Sequence, residues 1–179
     1  MNAAAHPDLL PRRRALQGLA ASLAFAGLAG CGFALRQAPT FAFQTIRVQG
    51  NEGTAVAREL REALQANGLQ VLTSATPQTT QPAQVVLTVV TDQRERTVVG
   101  QTAAGQVREL QLRTRFVFRL RTANEKTLID DTELLLERDI SFTETAVLSK
   151  ESEEAMLYRD MQGDVVQQVM RRLAALKSL

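Results

Sequence analysis

Between Glu109 and Arg121 the chain alternates with a period of two. Leu110, Leu112, Thr114, Phe116, Phe118 and Leu120 alternate with Glu109, Gln111, Arg113, Arg115, Arg119 and Arg121, and only Val117 breaks the polar side. Successive strand side chains point to opposite faces, so the pattern predicts a long strand with one buried and one wet face. A second such segment, about 128–142, places Thr132, Leu134, Leu136 and Ile140 on one face and Asp131, Glu133, Glu137 and Asp139 on the other. Joined by a turn at Ala123-Asn124-Glu125, the two strands pair antiparallel and set Arg side chains opposite acids. Each exposed pair contributes about 0.2–1 kcal/mol, so the pairs set register more than stability.

The flanking segments supply the remaining elements. Phe43–Val48 alternates as a first strand, and Gly50-Asn51-Glu52-Gly53 is a turn. Thr54 is placed to cap a helix running to Asn67-Gly68, with Val56, Leu60, Ala63 and Leu64 on its apolar face. Leu69–Leu72 reads as a short strand and Thr73–Pro82 as a surface loop. The β-branched run Gln84–Thr91 predicts a strand covered on both faces, continuing toward Val99 and a hairpin tip at Gly100–Gly105. Tyr158, Met161, Val165, Val169, Leu173 and Leu176 mark one face of a final helix over Ser149–Leu176. At ~1.5 Å per residue that helix is about 40 Å long, and its N-terminal part is expected to project beyond the core. The expected fold class is α+β: a two-layer sandwich of a mostly antiparallel four- to five-stranded sheet with two helices on one face.

Composition removes several kinds of function. The chain has one Cys and one His, so neither an internal disulfide nor a Cys/His zinc site is available. With no Trp, one Tyr and 4% aromatics, a base-stacking surface is not expected. Asp130-Asp131 is a carboxylate pair, but neighbours on a strand are expected to face apart. Ser149 and Ser152 have no His base and read as helix-capping residues. Gly100 and Gly105 lack the Gly-Lys-Ser/Thr that a phosphate loop needs. The expectation is a protein with no catalytic residues, no metal site and no nucleic-acid partner.

The N-terminus reads as an address. Arg12-Arg13-Arg14 precedes an Ala/Gly-rich apolar stretch too short to span a bilayer permanently. The basic run fits a twin-arginine signal or an ordinary export signal. The stretch ends in Leu28-Ala29-Gly30-Cys31, which matches the lipobox of bacterial lipoproteins. Cleavage before Cys31 leaves a thiol for a diacylglycerol thioether and an amine for a further acyl chain, and more than one chain makes anchoring stable. The expected division is a signal peptide over 1–30, a lipidated tether over 31–42 and a single domain over 43–179. No cofactor is expected beyond the covalent lipid on Cys31. Without Arg12–Arg14 and Asp8, the 21 basic and 19 acidic residues become 18 of each, so no basic field for nucleic acid remains. Gly32 rather than Asp follows the Cys, which resembles an outer-membrane sorting signal.

Three features in this order resemble the lipopolysaccharide-assembly lipoprotein LptE family. They are Cys31-Gly32-Phe33-Ala34-Leu35-Arg36, the Gly100-Gln101-Thr102-Ala103 tip between two long strands, and Leu148-Ser149-Lys150-Glu151-Ser152-Glu153-Glu154-Ala155 opening the last helix. The resemblance implies a lipid-anchored protein on the periplasmic side of the cell outer membrane. It implies a partner barrel, LptD, which the family plugs and helps to assemble, and delivery of lipopolysaccharide to the cell surface. It implies that Lys150 binds lipopolysaccharide. The family's Arg two residues before the Gly-Gln-Thr tip is Val98 here, with Arg94, Arg96 or Arg108 as substitutes. Gly100, Gln101 and Thr102 are the expected barrel contacts, and the stretch Phe142–Leu148 is expected to pack on the barrel wall. The face carrying Arg113, Arg115, Arg119 and Arg121 either pairs with the facing acids or lines the polar lumen. The alternative function is a lipoprotein chaperone or pilot of another outer-membrane secretion barrel.

Overall fold

The computed structural model describes residues 39–77, 82–141 and 147–179. In chain order the elements are β1 (Thr45–Gly50), α1 (Ala55–Ala66), β2 (Gln70–Leu72), β3 (Val85–Gln101), β4 (Val107–Thr122), β5 (Thr127–Ser141) and α2 (Val147–Ala174). One five-stranded sheet has the order β2-β1-β3-β4-β5. β1 lies parallel to both β2 and β3, while β3, β4 and β5 form an antiparallel meander. The sheet is therefore mixed. Its parallel part follows from α1, because two parallel strands need a crossover between them.

Helix α1 forms because Val56, Ala57, Leu60 and Leu64 make one apolar stripe, and all four are buried. It stops where Gly68 takes a φ of +82°, with the Leu69 N–H bonded to the Leu64 carbonyl at 3.2 Å. Its N-terminus departs from expectation. Thr54 occupies the cap position, but its hydroxyl donates to the Asn51 carbonyl at 2.7 Å. The Asp92 carboxylate on β3 instead accepts the Val56 N–H at 3.2 Å. A charged acceptor aimed at a positive helix end binds it more strongly than a hydroxyl.

The alternating apolar set of β4, Leu110, Leu112, Phe116, Phe118 and Leu120, is buried. Phe116 and Phe118 are fully buried with ring centroids 6.0 Å apart, among Ile46, Leu60, Leu87, Leu120, Val165 and Leu173. Burying one such side chain contributes about 1.5–3 kcal/mol. β3 corrects a further expectation: only one face of its apolar run is covered. Val85, Leu87 and Val89 are buried toward the helices, Val86 is half-buried and Val90 is exposed on the outer side. A register irregularity between Val89 and Thr91 then changes the alternation, so that Asp92, Arg94, Arg96 and Val98 face Phe116, Thr114, Leu112 and Leu110 of β4.

Beyond that irregularity the long strands form a distal arm with its own small core of Leu110, Leu112, Ile140, Tyr158 and Met161. The helix α2 begins at Val147, so Ser149 and Ser152 lie within it and do not cap it, and the acids Glu151, Glu153 and Glu154 fall beyond its first turn. Its N-terminal half does not project free. Tyr158 and Met161 are buried on the arm, and Lys150 reaches Ser141 of β5.

Candidate functional site

The distal arm carries the basic candidates. At its tip the Thr102 N–H bonds the Gln106 carbonyl at 2.8 Å and the Gln106 N–H bonds the Thr102 hydroxyl at 3.1 Å. Gly105 completes the turn with a φ of +79°. Thr102 is thus committed to the turn. Gly100 opposes Glu109, where an added Cβ would approach the Glu109 Cβ to 2.9 Å, so its role is also structural. Gln101 remains exposed. Val98 is 43% and Val99 49% exposed, an apolar shoulder behind the tip.

Three of the four basic candidates are held by α2 or within it. Arg94 Nη2 donates to Gln162 Oε1 at 2.6 Å, and its guanidinium lies 5.2 Å from the centre of the Tyr158 ring. Arg96 Nε pairs with Glu154 at 3.4 Å. Lys150 Nζ pairs with Glu153 at 2.8 Å, and its side chain is only 19% exposed. Arg108 is exposed and pairs with no acid among the described residues. The register sets Glu109 opposite Ser141, and Lys150 lies 3.4 Å from Ser141 Oγ. β-pairing therefore brings Arg108 and Lys150 to the same end of the arm, although 42 residues separate them in the numbering. Tyr158 Oη donates to the Glu95 carbonyl at 2.6 Å, and burial, aided by Glu154, pushes its proton affinity above the ordinary value.

The outer face of the sheet carries the expected charge ladder. Arg113 pairs with Glu137 at 2.7 Å, Arg115 with Glu133 at 2.9 Å and Arg119 with Asp131 at 3.5 Å. The hydrogen bond from Arg115 holds the Glu133 carboxyl below its ordinary range. Arg121 instead pairs with Glu125 of its own turn at 2.9 Å.

Asp130 and Asp131 do not part as expected. The register skips between Phe118↔Thr132 and Leu120↔Ile129, so two residues oppose Arg119, and both acids border one open hollow of about 290 Å³. Asp131 is engaged by Arg119, and both carboxyls are exposed. This setting lacks the burial by which a carboxyl becomes a general acid. Among the described residues there is no cluster of three or more metal-ligating side chains, and no helix is long and apolar enough to cross a membrane. Cys31, the tether as far as residue 38, and residues 142–146 lie outside the described residues.

Comparison with known proteins decides the family. The model described as "LptE: Lipopolysaccharide-assembly" matches residues 43–173, nearly all of the folded part. The chain belongs to the LptE family. Its fold recurs in lipoprotein B from Nitrosomonas europaea, with 28% identity, a TM-score of 0.65, and coverage of 80% of this chain and 91% of that one. Rare lipoprotein B from Shewanella oneidensis shares the fold at 20% identity and a TM-score of 0.59, covering 73% of this chain and 94% of that one. A minor lipoprotein from Acinetobacter baumannii does so at 19% identity and 0.57, covering 76% and 94%. No curated protein matches the sequence significantly. On the arm, position 98 is a valine, and Arg94, Arg96 and Lys150 are engaged by acids or amides of α2.

Sequence reasoning missed Arg47. Alternation sets it on the wet face, yet it is 3% exposed and donates to the Thr73 carbonyl at 2.5 Å and the Thr76 carbonyl at 2.7 Å. The loop that covers it has no periodic signal, and nothing local announces the contact.

Proposed function

We propose that this LptE-family lipoprotein is cleaved before Cys31, lipidated there, and held on the periplasmic side of the outer membrane. It plugs the lipopolysaccharide translocon barrel LptD, helps that barrel assemble and aids delivery of lipopolysaccharide to the cell surface. The observation that carries this reading is the family match across nearly all of the folded part. The action is steric and adhesive, with no bond made or broken on the protein. Its surface suits the role: a polar, charge-paired sheet face fits a water-filled lumen, and a long arm reaches away from the main core. The acyl anchor raises the local concentration of the plug at the barrel.

Lipopolysaccharide phosphates meet the arm first at Arg108, the exposed cation that pairs with no acid among the described residues, with Lys150 at the same end of the arm. Freeing Lys150 from Glu153 costs little, because a partly exposed ion pair is worth only about 0–1 kcal/mol. Gln101 is the tip side chain left over for the barrel wall. The test is affinity purification of the full chain from detergent-solubilised outer membranes. A stoichiometric β-barrel of the lipopolysaccharide translocon supports the reading, and a different secretion barrel or none refutes it.

A further inference from the structure

The sheet has two edges, and they are built differently. β2, at one end of the strand order, has three residues. β5, at the other end, has 15, against a common strand length of about 5–6. An edge strand offers alternate N–H and C=O groups to any extended chain that approaches, and proteins blunt such edges with brevity, Pro, Lys or bulges. β5 contains no Pro, Gly or Lys, and from Thr132 to Ser141 it pairs with β4 without a register irregularity. Among the described residues no strand lies beyond it.

The charges of β5 are tied back to the rest of the molecule. On the outer face Asp131 is held by Arg119, Glu133 by Arg115, Glu137 by Arg113 and Asp139 by Gln111, all on β4. Arg138 stands opposite Leu112 on the helix side and pairs with Asp164 of α2. Charges that commonly guard an edge are thus engaged elsewhere. Leu135, in the middle of the outer row, is 50% exposed.

We propose that the edge of β5 over Thr132–Ser141 docks an extended segment of a partner protein that carries Arg or Lys at alternate positions, added to the sheet as a further strand. The charge pattern selects this occupant. The outer row of β5 reads Asp131, Glu133, Leu135, Glu137 and Asp139. Side chains directly opposite on neighbouring strands interact, with opposite charges stabilising and like charges not. β4 meets this row from one side with Arg113 and Arg115, and a strand on the other side meets the same row, so basic or apolar side chains fit there and acids do not. Asp131, Glu137 and Asp139 are each engaged through one oxygen among the described residues, which leaves the second for a new donor. A second copy of this chain is the wrong occupant. Two β5 strands paired antiparallel about Leu135, with their outer faces on the same side, set Glu133 of one copy opposite Glu137 of the other, and Asp131 opposite Asp139. The site is defined by the edge and its acids, so it stands whether or not the plug reading does.

The test uses the full chain in detergent and a peptide of about nine residues, within the usual range for a strand, alternating arginine with valine and threonine. Amide hydrogen exchange is followed through a titration. Saturable binding that slows exchange at every second amide within residues 132–141 is expected, because only alternate amides of an edge strand face outward. The same peptide with glutamate in place of arginine should give no protection. Leu135→Lys sets a guarding cation at mid-edge on an exposed site, so the fold should hold while affinity for the basic peptide falls about fivefold. If that variant unfolds, the wild-type protection with the two peptides still decides. Binding that leaves the β5 amides unprotected, equal binding of the acidic peptide, or unchanged affinity in folded Leu135→Lys overturns the proposal. Sedimentation of the chain without peptide adds one more outcome: a dimer that Leu135→Lys abolishes makes a second copy the occupant and overturns it as well.

Discussion

Tyr158 Oη and the carbonyl of Glu95 lie 2.6 Å apart and join α2 to β3 across 63 residues of sequence. The contact falls just past the register change at Val89–Thr91, where the polar residues of β3 turn toward the helix. It fixes the start of the distal arm, and Arg94 over the same ring braces it.

Tyr158→Phe keeps the ring and deletes the part-buried hydrogen bond, so the Glu95 carbonyl loses this partner. The expected loss is about 1 kcal/mol, in the range for one net intramolecular hydrogen bond. Denaturant titration measures it. Hydrogen exchange should show the loss concentrated in residues 92–101 and 107–115, since the main core does not touch this bond.

Tyr158 is the chain's only tyrosine and there is no tryptophan, so its ionisation can be followed alone by ultraviolet absorbance. Burial raises its proton affinity, so the folded midpoint should lie above the ordinary value of about 10 and return to it in denaturant. The sign for stability follows. With the folded value raised, stability is intact below about pH 10 and falls as pH rises from there through the folded midpoint. A folded midpoint at or below 10 contradicts the burial described for this ring.

Two cores predict two responses. Met161→Ala empties the small distal core, and Leu60→Ala empties the main one; each should cost about 2–5 kcal/mol at the site it opens. Exchange measurements should show Met161→Ala loosening the arm while strands β1 and β2 keep their protection, and Leu60→Ala loosening the whole domain. Equal global loss in both would show a single cooperative core.

The ion-pair ladder was readable from sequence, and its value is small. Arg115 and Glu133 are each 44% exposed, so a double-mutant cycle should return only a small coupling that shrinks with added salt. Because Glu133 titrates below its ordinary range, this contribution is present above that range and disappears as pH falls through the folded value. A coupling that persists unchanged in strong salt would contradict the exposed geometry.

Much of the fold follows from periodicity, and its failures have physical causes. The inward set of β4 and the stripe of α2 were legible because burial imposes a strict period on a long element. The irregularities at Val89–Thr91 and at Asp130-Asp131 were not, since one extra residue leaves composition unchanged while reversing which side chains face in. The cap from Asp92 to Val56 and the burial of Arg47 depend on chain segments brought together only by folding. At the arm, the residue types were legible but their engagement was not: Arg94 and Arg96 prove to brace α2. Arg108→Glu should therefore weaken lipopolysaccharide binding by about tenfold, and Lys150→Glu by less, as binding assays with purified lipopolysaccharide can check.

The central claim is that the domain works from inside a barrel. A photo-crosslinking residue in place of Gln101, at the exposed tip, tests it most directly in living cells. The account predicts one dominant adduct with the translocon barrel. A chain that is folded and membrane-bound, yet gives no barrel adduct from this position or from Arg115 on the outer face, contradicts it.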